Sequence, residues 1–328
     1  MPKSNDFAKL KKLVIQHGEN TIKAFAKTPQ NKGVYVFVID SHALYGDVNF
    51  RWNTLDGFAY TRTFDSYKDY TDDRLYGHIG LKYCVGDFRF EDERNEKLGK
   101  WTMNYADALD ELCDEEEEED QVDQYMDTFI AVLIEAMKEL MPALSQLDLT
   151  DNFIAYVVDH DAADMTYLPE TVSPSQLDKA FPELKAYETY KTRLQSLQLD
   201  EQAAFWCQTL ADFEDGQESE AVIQLRSLSR YSFDVQDELV KLGEIAVPFL
   251  VTYLEKEFEE QFALQDNGHS MKAWTFQSPI IDIAKAGENE IGRLQALYLR
   301  QKQERPEAQN TTNTWRVLHA LDPLRFPE

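Results

Sequence analysis

Basic residues, cysteines and long apolar runs are all scarce in this chain of 328 residues. The three cysteines, Cys84, Cys113 and Cys207, are odd in number, widely spaced and without a CxxC pair, so they propose no disulfide framework. No apolar run approaches the roughly 18 residues needed to span a bilayer. The opening MPKSNDFAKLKKLVIQ lacks a continuous apolar core and a small-residue cleavage site, so it does not read as a signal peptide. Neither a GxGxxG nor a P-loop sequence is present, and Gly77, Gly80 and Gly86 are too dispersed to cradle a phosphate. These absences lead to the expectation of a cytoplasmic protein with no cofactor and no membrane association.

Acidic residues are abundant. There are 60 against 33 basic ones, a formal charge of −27, and Asp114, Glu115, Glu116, Glu117, Glu118, Glu119 and Asp120 form an unbroken run. The excess is not confined to a tail. Up to Glu170 the count is 34 acidic against 17 basic residues, and beyond it 26 against 16. Phosphate-backbone binding depends on basic residues that displace counterions, so nucleic acid is disfavoured as a partner. A cationic protein surface is favoured instead. A hydrophobic share of 43% with 12% aromatics is too high for a disordered acidic chain, and the length suits two domains. The acidic run itself is expected to be exposed, because burying seven charges would require compensation that is not evident nearby.

Periodicity divides the chain in two. Phe7–Phe25 has the apolar spacing of a helix. Val34–Ile39, ended by Asp40, and Leu44–Arg51 read as neighbouring strands, with Phe58–Thr63 as a further short one. The stretch from Tyr76 to Phe90 is mixed, between strand and irregular backbone. Trp101–Leu112 and the segment from Gln121 to Met141 read as helices, with Pro142 marking an end or distortion. Phe153–Val158 is a second convincing strand, closed by Asp159. The order predicts an α+β domain over 1–183, one sheet covered by helices.

After residue 183 strand signals almost disappear. Helices are expected at 184–197, 201–213, 218–230, 233–243, 246–262, 271–286, 289–302 and 312–321, an all-helical domain of stacked pairs over 184–328. In Leu239–Leu250 one helix ends at Gly243 and the next begins at once, with Pro248 in its early turn. This unit resembles the HEAT-like helical repeat, with a weaker echo at Ile283–Ile291 that places its break at Gly287.

The N-terminal part resembles the bacterial family called domain of unknown function 4303. The features are the leading helix, the strand ending Val38-Ile39-Asp40, the Asn49–Asn53 stretch, Trp101 opening a helix, Asp159-His160-Asp161 after a strand, and Ala180-Phe181-Pro182-Glu183. The resemblance covers roughly residues 5–185 and supplies no catalytic residues. It implies a bacterial setting in which related families resemble immunity proteins encoded beside toxins.

Two constellations could carry function. Asp40 and His42 at one strand end, with Asp159, His160, Asp161 and Asp164 at another, could bind a divalent ion or do acid–base work if the strands are adjacent. Against this, Asp and His after a strand commonly cap turns, and consecutive side chains point in different directions. Tyr60, Tyr67, Tyr70 and Tyr76 lie amid Asp65, Asp69, Asp72 and Asp73, either as core and rim packing or as a protein interface. His17, His78, His269 and His319 lack ligand spacing and read as surface or locally bonded, and Cys207 reads as packed. Three functions follow as expectations: an acidic module, of the immunity-protein kind, that binds a basic protein such as a toxin; a metal-dependent enzyme; or an adaptor that uses apolar helix faces.

Overall fold

A computed structural model describes residues 4–92, 95–113, 119–160, 166–263, 271–304, 306 and 308–327. Two compact units divide the chain, Met1–Lys185 and Ala186–Glu328. The first is α+β, a mixed sheet flanked by helices, and the second is all-α. Among the described residues no helix is long and apolar enough to cross a membrane.

The first unit runs α1 (Ser4–Phe25), β1 (Val34–His42), β2 (Asp47–Thr54), α2 (Leu55–Thr61), α3 (Asp72–Leu75), β3 (Phe90–Glu91), α4 (Glu96–Cys113), α5 (Glu119–Leu144), β4 (Leu149–Asp159), α6 (Leu168–Thr171) and α7 (Pro174–Ala180). The strand order is β3-β2-β1-β4. β2 pairs antiparallel with β1 and with β3, while β4 lies parallel to β1. A parallel neighbour requires a long crossover, which here carries α2 to α5.

β1 is buried on both faces, which explains its unbroken apolar run. Phe37 and Ile39 join Phe50, Trp52 and Val157 in a core closed by α1, α4 and α5. Tyr35, Val36 and Val38 face a second core with Ile154, Tyr156, Phe58, Tyr83 and Phe181. α1 approaches the sheet closely at Gly18, where an added Cβ would sit 2.7 Å from Leu140 Cδ1 and 2.9 Å from Phe50 Cζ.

The pattern at Phe58–Thr63 misleads. This segment belongs mostly to helix α2, not to a strand. Thr54 caps the helix by accepting the Gly57 N–H at 3.0 Å, and Asp56 occupies the first turn. The ambiguous stretch after Tyr76 consists of two single 3₁₀ turns, Leu81–Tyr83 and Val85–Asp87, before the short β3. Leu44 lies in the turn between β1 and β2 rather than in a strand.

α8 (Pro182–Leu194) crosses the division at Lys185, and the second unit continues with α9 (Leu199–Glu214), α10 (Glu220–Ser227), α11 (Ser232–Leu242), α12 (Val247–Ala263), α13 (Met271–Ile283), α14 (Glu288–Glu304) and α15 (Gln309–Leu321). α9, α11, α13 and α15 pack in succession, and α12 packs on α14. Alternate helices thus form two layers, so each pair buries its apolar face against the next. The core includes Trp206, Leu239, Leu250, Phe276, Leu294 and Val317. Gly243, at φ +61°, ends α11, and Pro248 stands at the second position of α12.

Candidate functional site

The two strands are adjacent, as a shared site would require, but their ends meet only in part. β1 and β4 are adjacent and place Asp40 beside Val158 and Ser41 beside Asp159. Asp40 is 2% exposed. Its Oδ1 lies 3.0 Å from His160 Nε2, and its Oδ2 lies 2.8 Å from Arg51 Nε, on the neighbouring strand. Both contacts are close, but neither Asp40 Oδ1 nor Arg51 Nε meets the geometry of an aligned hydrogen bond. Burial pushes the Asp40 carboxyl above its ordinary value, and His160 and Arg51 pull against it without cancelling the effect.

His42 follows Asp40 by two positions and so shares its face of the strand. Its ring centroid is 6.0 Å from that of His160 and 4.4 Å from that of Tyr45. Asp159 belongs to the alternate face, where its Oδ1 accepts the Ala43 N–H at 3.0 Å. That carboxylate closes the turn after β1. Asp161 and Asp164 lie outside the described residues. Among the described residues no group of three histidine, cysteine or acidic side chains is arranged to hold a metal ion.

The tyrosine segment is a different surface. Tyr60, Phe64 and Tyr76 are exposed by 49%, 45% and 41%. A chain of ring contacts links Tyr60 to Phe64 at 5.2 Å, Phe64 to Tyr67 at 6.5 Å and Tyr67 to Tyr70 at 5.4 Å. Tyr67 and Tyr70 are half-buried against the second core of the first unit. The Tyr67 hydroxyl donates to Asp87 Oδ1 at 2.5 Å, which pushes its pKa up to about 12.

Arginines cover several of these rings. Arg74 lies 3.8 Å from the Tyr70 centroid and Arg89 lies 4.0 Å from that of Tyr60. Arg62 sits between Phe58 and Tyr76 and donates to the Tyr76 hydroxyl at 3.2 Å. The guanidinium groups are therefore engaged by the chain's own rings. Asp56, Asp65, Asp69 and Asp72 remain exposed around them. The remaining interface candidates, Asp114, Glu115, Glu116, Glu117 and Glu118, lie outside the described residues. Glu119 and Asp120 open α5.

Sequence reasoning missed a buried His–Asp pair. His17 on α1 is 8% exposed, the side chain of Asp92 after β3 is 6% exposed, and His17 Nε2 bonds Asp92 Oδ2. Asp92 Oδ1 accepts the Phe50 N–H at 2.8 Å, and the Asp92 N–H donates to Phe50 O at 2.9 Å. The partners are 75 residues apart, so no local spacing announces them. His78 is also buried, 3.4 Å from Glu183. His319 Nδ1 bonds the Phe326 carbonyl, Cys207 is fully buried, and His269 lies outside the described residues.

Comparison with protein-family models, with curated proteins and with solved structures gives no match.

Proposed function

We propose that the chain is an acidic protein-binding module that docks a basic protein through the face around Tyr60, Phe64 and Tyr76. The exposed, linked ring row beside exposed aspartates is the observation that carries this reading. Aromatic side chains bury a large area at low conformational cost, and tyrosine keeps a polar end for hydrogen bonding. The net charge of −27 supplies a field that speeds encounter with a cationic surface and opposes wrong orientations. The resemblance to domain of unknown function 4303 extends the proposal to a cytoplasmic immunity protein that neutralises a basic bacterial toxin. The HEAT-like helical stack would add a second broad surface for the same partner.

The test is affinity capture with the full chain at rising salt, in parallel with a Tyr60→Ser, Phe64→Ser variant. The expected outcome is a basic partner that is released as salt rises and recovered poorly by the variant. Partners that are neutral or acidic, held equally at all salt concentrations, would overturn the reading. Retention by the variant would move the interface away from this face.

A further inference from the structure

Lys82 sits in the first of the two single 3₁₀ turns, Leu81–Tyr83, between two buried neighbours, Leu81 and Tyr83. The turn is tied to the sheet, because the Tyr35 hydroxyl, from β1, donates to the Lys82 carbonyl at 2.6 Å. The Tyr35 ring meets the Tyr83 ring edge-on, with centroids 5.5 Å apart and planes at 86°. The two rings form a corner. The Lys82 amine lies over both, 4.9 Å from the Tyr35 centroid and 5.4 Å from that of Tyr83.

Other lysines of this acidic chain lie against carboxylates. Lys11 Nζ is 2.8 Å from Glu135 and 2.7 Å from Glu139, and Lys285 Nζ is 2.9 Å from Glu244. Hydrogen bonds to those carboxylates raise the pKa of both amines. Among the described residues no carboxylate pulls on Lys82 in this way. The titratable groups that face it are two phenols, Tyr35 from β1 and Tyr83 from its own turn. Burial pushes both phenols up, so neither supplies a phenolate at neutral pH.

Ring faces attract an ammonium but carry no counter-charge. Burial of the half-buried Lys82 is therefore not offset by an opposite charge, and it lowers the amine below its ordinary value of 10.5. An amine so placed is unprotonated at neutral pH more often than an exposed one, and the unprotonated form is the nucleophile. An anionic reagent meets the charge of −27 and finds no second cation in the tyrosine corner.

We propose that Lys82 is a nucleophilic amine that takes uncharged aldehydes as Schiff bases. The nitrogen lone pair adds to the carbonyl carbon, and the electron pair of the C=O π bond moves to oxygen. The nitrogen then gives up two protons, the oxygen leaves with them as water, and one C=N bond replaces the C=O bond. Nothing is oxidised or reduced in this exchange, and no co-reactant is needed.

The experiment exposes the intact chain briefly to limiting benzaldehyde at about pH 7.5, traps the imines with borohydride and locates them by peptide mass spectrometry. Lys82 is expected to label at least about fivefold faster than Lys12, an exposed lysine on α1. At pH 10.5, the ordinary lysine value, the advantage should shrink to less than about twofold, because exposed amines are then half unprotonated. The anionic 4-formylbenzoate should lose most of the selectivity. Lys82→Arg should remove the preferred label and leave the thermal midpoint unchanged. Labelling of Lys82 no faster than of Lys12 would overturn the proposal. An advantage undiminished at pH 10.5 would assign the labelling to access rather than to nucleophilicity, and would overturn it too. Equal selectivity with 4-formylbenzoate would overturn the restriction to uncharged aldehydes.

Discussion

Asp40 at the end of β1 and His160, just beyond β4, meet across the parallel strand pair, with Oδ1 and Nε2 3.0 Å apart. The carboxylate is almost fully buried while the imidazole side chain is 54% exposed. The pair therefore joins a desolvated carboxyl to an imidazole in contact with water, and Arg51 closes the other side at 2.8 Å. Among the described residues no group of three histidine, cysteine or acidic side chains is arranged there to hold a metal ion.

The raised pKa of Asp40 sets a direction for stability against pH. The folded chain keeps this proton after the unfolded chain has released it. Its contribution is therefore fully present below the ordinary carboxylate value of 3.8 and is lost as pH rises through the raised one. Asp40→Asn, which keeps the shape and removes the titration, should flatten that part of the profile measured by urea unfolding. Asp40→Ala also removes the closer of the two carboxylates that Arg51 faces and should cost about 2–3 kcal/mol. A profile identical in wild type and Asp40→Asn would show that Asp40 does not shape it.

Tyr67 gives a second titration, at the proposed interface. The hydrogen bond to Asp87 is the largest cause of its rise from 10.0 to about 12. The unfolded chain ionises this phenol first, so the group's stabilising contribution is present below pH 10.0 and is lost as pH rises towards about 12. Asp87→Asn should bring the Tyr67 resonance, followed with ring-labelled tyrosine, back towards the ordinary value. A midpoint unmoved by the substitution would assign the shift to burial, its second cause.

Much of this architecture was written in local patterns. The eight expected helices after residue 183 correspond to α8–α15, because each buries one stripe and is punctuated by residues that cannot continue a helix. The strands of β1 and β4 were legible as apolar runs closed by aspartate. Phe58–Thr63 was not, since its helix depends on the Thr54 cap and on packing against the sheet rather than on periodicity. The site divided the same way. Asp40 and His160 were named as strand-end residues that would meet if their strands were adjacent, and the parallel β1–β4 pairing meets that condition, whereas alternation turned Asp159 to the other face. The His17–Asp92 pair joins α1 to the β3 edge, and no sequence spacing encodes a contact that the crossover creates.

Gly18 marks how closely α1 lies on its neighbours. An alanine methyl there would meet Leu140 and Phe50, both fully buried, at distances below ordinary contact. Those side chains have little room to move in a filled core. Gly18→Ala should destabilise the first unit by about 1–3 kcal/mol, measured by urea unfolding. A neutral result would mean that the Leu140 side chain relaxes freely into an alternative rotamer.

The ends of α11 and α13 place different residues in the left-handed region. At the first, the residue with positive φ is Gly243, at +61°. At the second it is Ala284, at +48°, one residue past the helix and three before Gly287. An L-residue in the left-handed region carries a strain of about 1–2 kcal/mol. Ala284 is exposed, so replacing it by glycine loses no core packing. After the larger unfolded-state entropy of glycine is set against the relief, Ala284→Gly should stabilise by about 0.5–1 kcal/mol. Gly292, inside α14, has the reverse circumstances: it is helical, and an added Cβ meets nothing within 4 Å. Gly292→Ala should therefore also stabilise, by about 0.8–1 kcal/mol. The two sites lie in one cooperative unit, so a single urea-unfolding series on both variants and their combination reads each effect. Destabilisation by Ala284→Gly would show that the turn after α13 holds its left-handed residue without strain, and the distinction drawn between the two helix ends would fail.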